Sequence, residues 1–271
     1  MHLTLILSLI SGLKSCQVDY VSAYTQAPLD CEIFMNSPPG FIAKNITLIF
    51  TTSSTPGKST KHVLHLKKNI YGLHQAGNNW FDHLRSSLLV RSFTQSLIDP
   101  CLFMRKDCVL IVNVDHCLLF AKTDTILDHI IASLRSDFNL TSQGDVGAFL
   151  GIDIRHSANG YLELIQSGLI QKIISTCSLE SESNEHKTPA TQILHANLNG
   201  PPCDQPWNYC TVIGMLTYLS TSTHPDITFA IHQCARFSTH PQRLHELAVR
   251  HIILYLKGTQ TKGYILRPLQ S

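Results

Sequence analysis

Residues 108–114 (CVLIVNV) and 117–121 (CLLFA) are apolar runs separated by only Asp115 and His116. Runs of this length and composition, joined by two polar residues, form a tight antiparallel hairpin. The hairpin sets a carboxylate at the tip of a buried sheet, where an ionised group needs a partner. A second acidic residue, Asp19, stands in the same setting near the end of CQVDY (residues 16–20), a short strand. Taken singly, each Asp reads most simply as a turn residue. Brought together, the two make a divalent-metal site.

The rest of the chain alternates helical and strand patterns. At the N-terminus Leu3, Ile6, Leu7, Ile10 and Leu13 recur at helical spacing, which predicts a buried helix ending near Gly12. A signal peptide is the alternative, but no Lys or Arg precedes the apolar run and no Ala-x-Ala site follows it. The run is also too short to span a bilayer. A turn-rich stretch follows with Pro28, Pro38, Pro39 and Gly40, and residues 51–62 (TTSSTPGKSTKH) form the clearest loop. Helices are predicted over 80–90, with Trp80, Phe81, Leu84 and Leu88 on one face, and over 125–140, with Ile126, Ile130, Leu134 and Phe138 in register. Residues 149–155 and 161–165 predict a second hairpin, and the polar stretch 178–205 a boundary. Three helices close the chain, over about 206–221, 225–237 and 241–257, the last two opened by Pro225 and Pro241.

Charge limits the partners. Twenty-one Lys and Arg against nineteen Asp and Glu give a net charge of +2, and charged residues make up only 15% of the 271. Any nucleic-acid partner must therefore be held by local patches. Lys58, Lys61, Lys67 and Lys68 form one basic segment. Arg243, Arg250 and Lys257 recur every seven residues on the last predicted helix, sharing a stripe while Leu244, Ala248, Ile252 and Tyr255 face inward. Such a stripe either tracks phosphates or is a solvated helix face. The nine cysteines are odd in number and scattered, without a Cys-x-x-Cys pair or zinc-finger spacing. They read as reduced thiols of an intracellular protein, in cytoplasm or nucleus and not at a membrane, with a secreted disulfide scaffold as the alternative.

The ordered motifs add a family. Gln17-Val18-Asp19-Tyr20-Val21-Ser22-Ala23-Tyr24, Glu32-Ile33-Phe34-Met35 with Pro38-Pro39-Gly40-Phe41, and Leu66-Lys67-Lys68-Asn69-Ile70-Tyr71-Gly72-Leu73-His74-Gln75-Ala76 ending at Trp80 occur in succession. Phe149-Leu150-Gly151-Ile152, Thr188-Pro189, Gly214 through Tyr218-Leu219, Pro225-Asp226-Ile227 and Tyr255-Leu256-Lys257-Gly258-Thr259 follow. Over residues 3–268 this series resembles the reverse transcriptase of copia-type retrotransposons.

The resemblance implies an α+β fold. Residues 1–177 would form a palm of antiparallel strands backed by helices, with partial fingers. Residues 178–205 would be linker-like and 206–271 a helical thumb or connection. It implies an RNA-directed DNA polymerase acting by two-metal nucleotidyl transfer on an RNA template, a DNA primer and deoxynucleotides. Magnesium, or manganese in its place, would be held by Asp19 and by a Tyr-x-Asp-Asp hairpin. Here that hairpin reads Asn113-Val114-Asp115-His116, so one carboxylate is missing and an aromatic surface is lost. His116 offers an imidazole nitrogen, better suited to zinc or copper than to magnesium. Metal binding should be weakened. A loss of about 3 kcal/mol of transition-state stabilisation would cost about a hundredfold in rate, leaving a weak or inactive enzyme.

By the same resemblance Tyr24 would block the ribose 2′-hydroxyl and Gln75 would contact the incoming nucleotide. His74 stands in place of a Lys and His224 in place of an Arg. The chain would begin inside the fingers and stop before the ribonuclease H region, as a degenerate fragment of a Pol polyprotein. A non-catalytic module that binds nucleic acid or a partner protein on the same fold is the competing expectation.

Overall fold

A computed structural model describes residues 1–40, 63–157, 159–196 and 200–267. The expected loop over 51–62, with Lys58 and Lys61, and the motif residue Phe41 lie outside the described residues. The chain is a mixed α+β protein built on antiparallel sheets. It divides into two compact units: Gly12–Asp145 with Met1, and Val146–Ser271 with His2–Ser11.

Helix α1 (His2–Ile10) opens the chain and belongs to the second unit. The predicted helix is there, but its buried residues are Leu5 and Ser8, while Leu3, Leu7 and Ile10 are more than half exposed. The expectation that this stripe is buried is therefore corrected. Leu3, Leu5, Ile6, Leu7, Leu9 and Ile10 are aliphatic on all sides of a nine-residue helix, so spacing alone cannot select the inward face.

The first unit runs through β1 (Lys14–Tyr20), α2 (Ala23–Gln26), β2 (Phe34–Asn36), β3 (Val63–His65), α3 (Ala76–Val90), β4 (Thr94–Gln95), β5 (Leu102–Arg105), β6 (Cys108–Asn113), β7 (His116–Ala121), α4 (Asp124–Arg135) and β8 (Leu140–Gly144). Six strands form one antiparallel sheet in the order β4-β5-β6-β7-β1-β8. Alternate side chains Val18, Tyr20, Leu110, Val112, Cys117 and Leu119 pack with Trp80, Leu84 and Leu88 of α3 and with Ile130 and Leu134 of α4. Thr123 caps α4 by accepting the Ile126 N–H. The helix predicted over 125–140 ends at Arg135, because Leu140–Gly144 is drawn off as β8 to pair with β1. In this sheet β1 lies beside β7, so two strands a hundred residues apart in sequence become neighbours.

The second unit continues with β9 (Ala148–Phe149), β10 (Ile152–His156), β11 (Leu162–Ile165), α5 (Ser167–Thr176), α6 (Tyr209–Ser222), a 3₁₀ turn at Pro225–Ile227, α7 (Thr228–Ala235), α8 (Arg243–Lys257) and β12 (Tyr264–Leu266). The β10–β11 hairpin pairs as its pattern predicts, and β12 adds to the β11 edge. Ile170, Ile173, Val212, Leu216, Ile231, Val249, Ile252 and Leu256 form the core of the helical layer. Because β12 joins the 149–165 hairpin to the C-terminal helices, the compact units divide after Asp145, where the sequence reading has its first division after residue 177. The polar stretch 178–205 accordingly lies within the second unit.

Candidate metal centre

The site is built by strand register. Residues β6 and β7 pair Asn113 with His116, leaving Val114 and Asp115 as a two-residue loop. The β1–β7 ladder sets Asp19 opposite His116, and the backbone N–H of Tyr20 donates to the Asp115 carbonyl at 2.7 Å. Two-residue hairpin loops call for a positive φ, and Val114 supplies it at 53°. That conformation is unfavourable for a β-branched residue. Trp80 helps to hold it: its buried indole N–H donates to the Val114 carbonyl at 2.6 Å.

Asp19, Asp115 and His116 each offer one ligand atom, all within 4.8 Å of one another, and all three side chains are half-buried. The imidazole faces both carboxylates. Its Nδ1 lies 3.2 Å from Asp19 Oδ1 and its Nε2 lies 3.8 Å from Asp115 Oδ1. Nδ1 is shielded from solvent but makes no aligned hydrogen bond, despite its closeness to Asp19. A shielded nitrogen held against a carboxylate without a hydrogen bond suits coordination to a shared cation. The donor set therefore fits a divalent ion with mixed nitrogen and oxygen ligands, and departs from the all-oxygen shell magnesium prefers.

Tyr71 and Tyr24 stand beside this centre with their rings 4.6 Å apart. Burial first, then the negative charge of Asp115, followed by those of Tyr24 and Asp19, raises the Tyr71 phenol above its ordinary value. Gln75 precedes α3 without a side-chain capping bond, and its amide donates to Cys31 Sγ at 3.8 Å. Lys67 and Lys68 are exposed after β3, with Lys67 Nζ 3.2 Å from His65 Nδ1.

Arg243, Arg250 and Lys257 lie on α8 in the second unit. Each has an internal partner: Arg243 pairs with the buried Glu246, Arg250 with Glu182, and Lys257 Nζ donates to the carbonyls of Leu179, Glu180 and Glu182 at 3.0, 2.6 and 2.6 Å. The structure thus gathers Asp19, Asp115 and His116, and ties the α8 cations to their own unit.

Motif reading singled out the carboxylates and missed the supports. Trp80 ends the most specific motif, and a buried indole that must find an acceptor was the available signal. Tyr71 sits inside the same motif. Nothing in local spacing marks its closeness to the hairpin.

An antiparallel sheet flanked by helices thus sets an aspartate near the end of one strand against another in the neighbouring hairpin loop. The chain belongs to the reverse transcriptase (RNA-dependent DNA polymerase) family, which matches residues 1–192. Its relatives are copia-type Pol polyproteins. It is 28% identical over 255 residues to the retrovirus-related Pol polyprotein from transposon RE2 of Arabidopsis thaliana, covering 93% of this chain and 16% of that protein. It is 27% identical over 259 residues to that from transposon TNT 1-94 of Nicotiana tabacum, covering 90% and 18%. With the putative transposon Ty5-1 protein YCL074W of Saccharomyces cerevisiae it shares 25% identity over 252 residues, covering 90% and 76%. The chain spans less than a fifth of the two plant polyproteins. Among the described residues no helix is long and apolar enough to cross a membrane.

Proposed function

We propose that this chain is the polymerase region of a copia-type Pol polyprotein whose RNA-directed DNA synthesis is impaired by its own hairpin. The first unit takes the part of the palm, and the C-terminal helices that of the thumb. The observation that carries the reading is the Asp19–Asp115–His116 cluster, two carboxylates joined by an imidazole where the family has a third carboxylate.

Cations held by Asp19 and Asp115 would offset the charge that develops on the oxygens of a phosphoryl transfer. The residues around them act as positioning groups. The β1–β7 ladder and the Trp80 indole fix the two carboxylates before any ligand arrives. Tyr24, its ring tilted against that of Tyr71, forms a wall that admits a ribose lacking its 2′-hydroxyl, and Gln75 contacts the incoming nucleotide. Lys67 and Lys68 hold template or primer phosphates. The α8 cations contribute to phosphate binding only with whatever their internal bonds leave free. Nine free cysteines support placement in a reducing compartment, cytoplasm or nucleus.

Primer extension on an RNA template, in magnesium and in manganese, tests the reading. His116→Asp should raise the rate about a hundredfold, corresponding to a restored ligand worth about 3 kcal/mol. Full activity in the unmodified chain, or no gain in the variant, overturns it. The imidazole placed against both carboxylates also favours a second reading, a module that binds template–primer without extending it. Gel-shift binding with no incorporation by either form would support that one.

A further inference from the structure

We infer that the Asp19–Asp115–His116 centre is a site for a borderline transition cation, zinc in the first instance, in preference to magnesium. The geometry comes first. Two ligand atoms at about 2.0–2.1 Å from one tetrahedral zinc are about 3.3 Å apart. Asp19 Oδ1 and His116 Nδ1 are 3.2 Å apart, and Asp115 offers a third oxygen within the same 4.8 Å. Nδ1 is the shielded atom without a hydrogen bond, so an ion there satisfies it.

Charge and hardness then separate the metals. Two carboxylates and a neutral imidazole carry −2, one charge fewer than three carboxylates, and a hard, strongly hydrated ion such as magnesium depends chiefly on that charge and on oxygen donors. Zinc binds imidazole nitrogen well and accepts four ligands, leaving one position for water or a phosphate oxygen.

The inference shares the site of the proposed function but not its chemistry, so the two can fail separately. The full chain is titrated with Zn2+, Mn2+ and Mg2+ by calorimetry, and with Co2+ as a probe read by its visible absorption. The chain's other His and Cys residues are controlled for by comparing variants. Unmodified protein should take up one Co2+ with nitrogen-ligand absorption that disappears in His116→Asn and in Asp19→Asn. Zn2+ affinity should fall about tenfold or more in His116→Asp and in His116→Asn. Mg2+ affinity should rise in His116→Asp alone. His116→Asn removes the ring nitrogens without adding charge, so it carries the test if the added carboxylate prevents folding; circular dichroism checks both.

Zn2+ affinity and Co2+ absorption unchanged by His116→Asn would place the ion on other histidines or cysteines and overturn the inference, as would equal Mg2+ preference in the unmodified chain and His116→Asp. If His116→Asp extends no primer in any metal while zinc binding still depends on His116, the polymerase reading falls and this one stands.

Discussion

Val114 concentrates the cost of the hairpin in one residue. At φ 53° it occupies a backbone region costing about 1–2 kcal/mol for a side chain with a Cβ, and its own side chain is exposed, so little packing offsets it. Val114→Gly should therefore stabilise the protein by about 1 kcal/mol, measured by urea unfolding, even though glycine adds freedom to the unfolded chain. Trp80→Phe should act oppositely. It removes the donor to the Val114 carbonyl and should cost about 1 kcal/mol beyond any loss of ring packing. Both changes leave Asp19, Asp115 and His116 in place, so the sign of the stability change isolates the loop. The carboxylates themselves are legible in sequence, because an aspartate beside an apolar run stands out at short range. What brings Asp19 against His116 is the pairing of β1 with β7, a long-range register that no local pattern encodes.

Elements whose apolar residues keep one clean period are legible: α3 buries Trp80, Leu84 and Leu88, and β6–β7 form the hairpin their two runs require. Legibility fails where the period is ambiguous or the partner distant. Helix α1 is aliphatic all round. Helix α5 carries Ile170, Ile173 and Ile174 at helical spacing, but the strand β11 runs almost directly into it and masks its start. Strand β12 is three residues long and exists through pairing with β11. On α8 the seven-residue spacing of Arg243, Arg250 and Lys257 describes the stripe, but the stripe faces the 179–182 segment and Glu246, and its charge is engaged there. Lys257→Met should thus destabilise the second unit by about 1.5–3 kcal/mol, the scale of hydrogen bonds to a charged group. It should leave the salt dependence of nucleic-acid binding unchanged. Replacing both Lys67 and Lys68 with Ala should instead reduce the slope of log affinity against log salt by about 1 to 2 and leave thermal stability unchanged.

At the scale of the whole molecule, acid should separate the two units. Among the described residues, the histidines with a lowered pKa are His2, His186, His224 and His245, all in the second unit, and burial is the largest cause for each. His245 shows why the neutral form is built in. Its Nδ1 accepts the Gln242 backbone N–H at 3.1 Å, its Nε2 faces the His195 carbonyl at 3.4 Å, and its ring stacks on Phe237 at 3.8 Å. A proton on Nδ1 would meet a donor. A base with a lowered folded pKa binds more protons when unfolded, so its contribution to stability is complete above the ordinary value of 6.5 and is lost as pH falls through the folded value. In the first unit the groups whose perturbation bears on acid are carboxylates: Arg91, 2.8 Å away, leads the interactions that hold Asp137 down to about 2, and Arg105 holds Asp107 below its ordinary value. Their contribution is complete above the ordinary 3.8 and is lost only as pH falls toward about 2. The second unit should therefore loosen first. The chain has two tryptophans, Trp80 in the first unit and Trp207 in the second, so each unit carries its own fluorophore. In Trp80→Phe the remaining emission should begin to change just below pH 6.5, whereas in Trp207→Phe it should hold until below about pH 4. If the two transitions coincide, or if the Trp80 signal moves first, the buried histidines do not set the acid stability of the C-terminal unit.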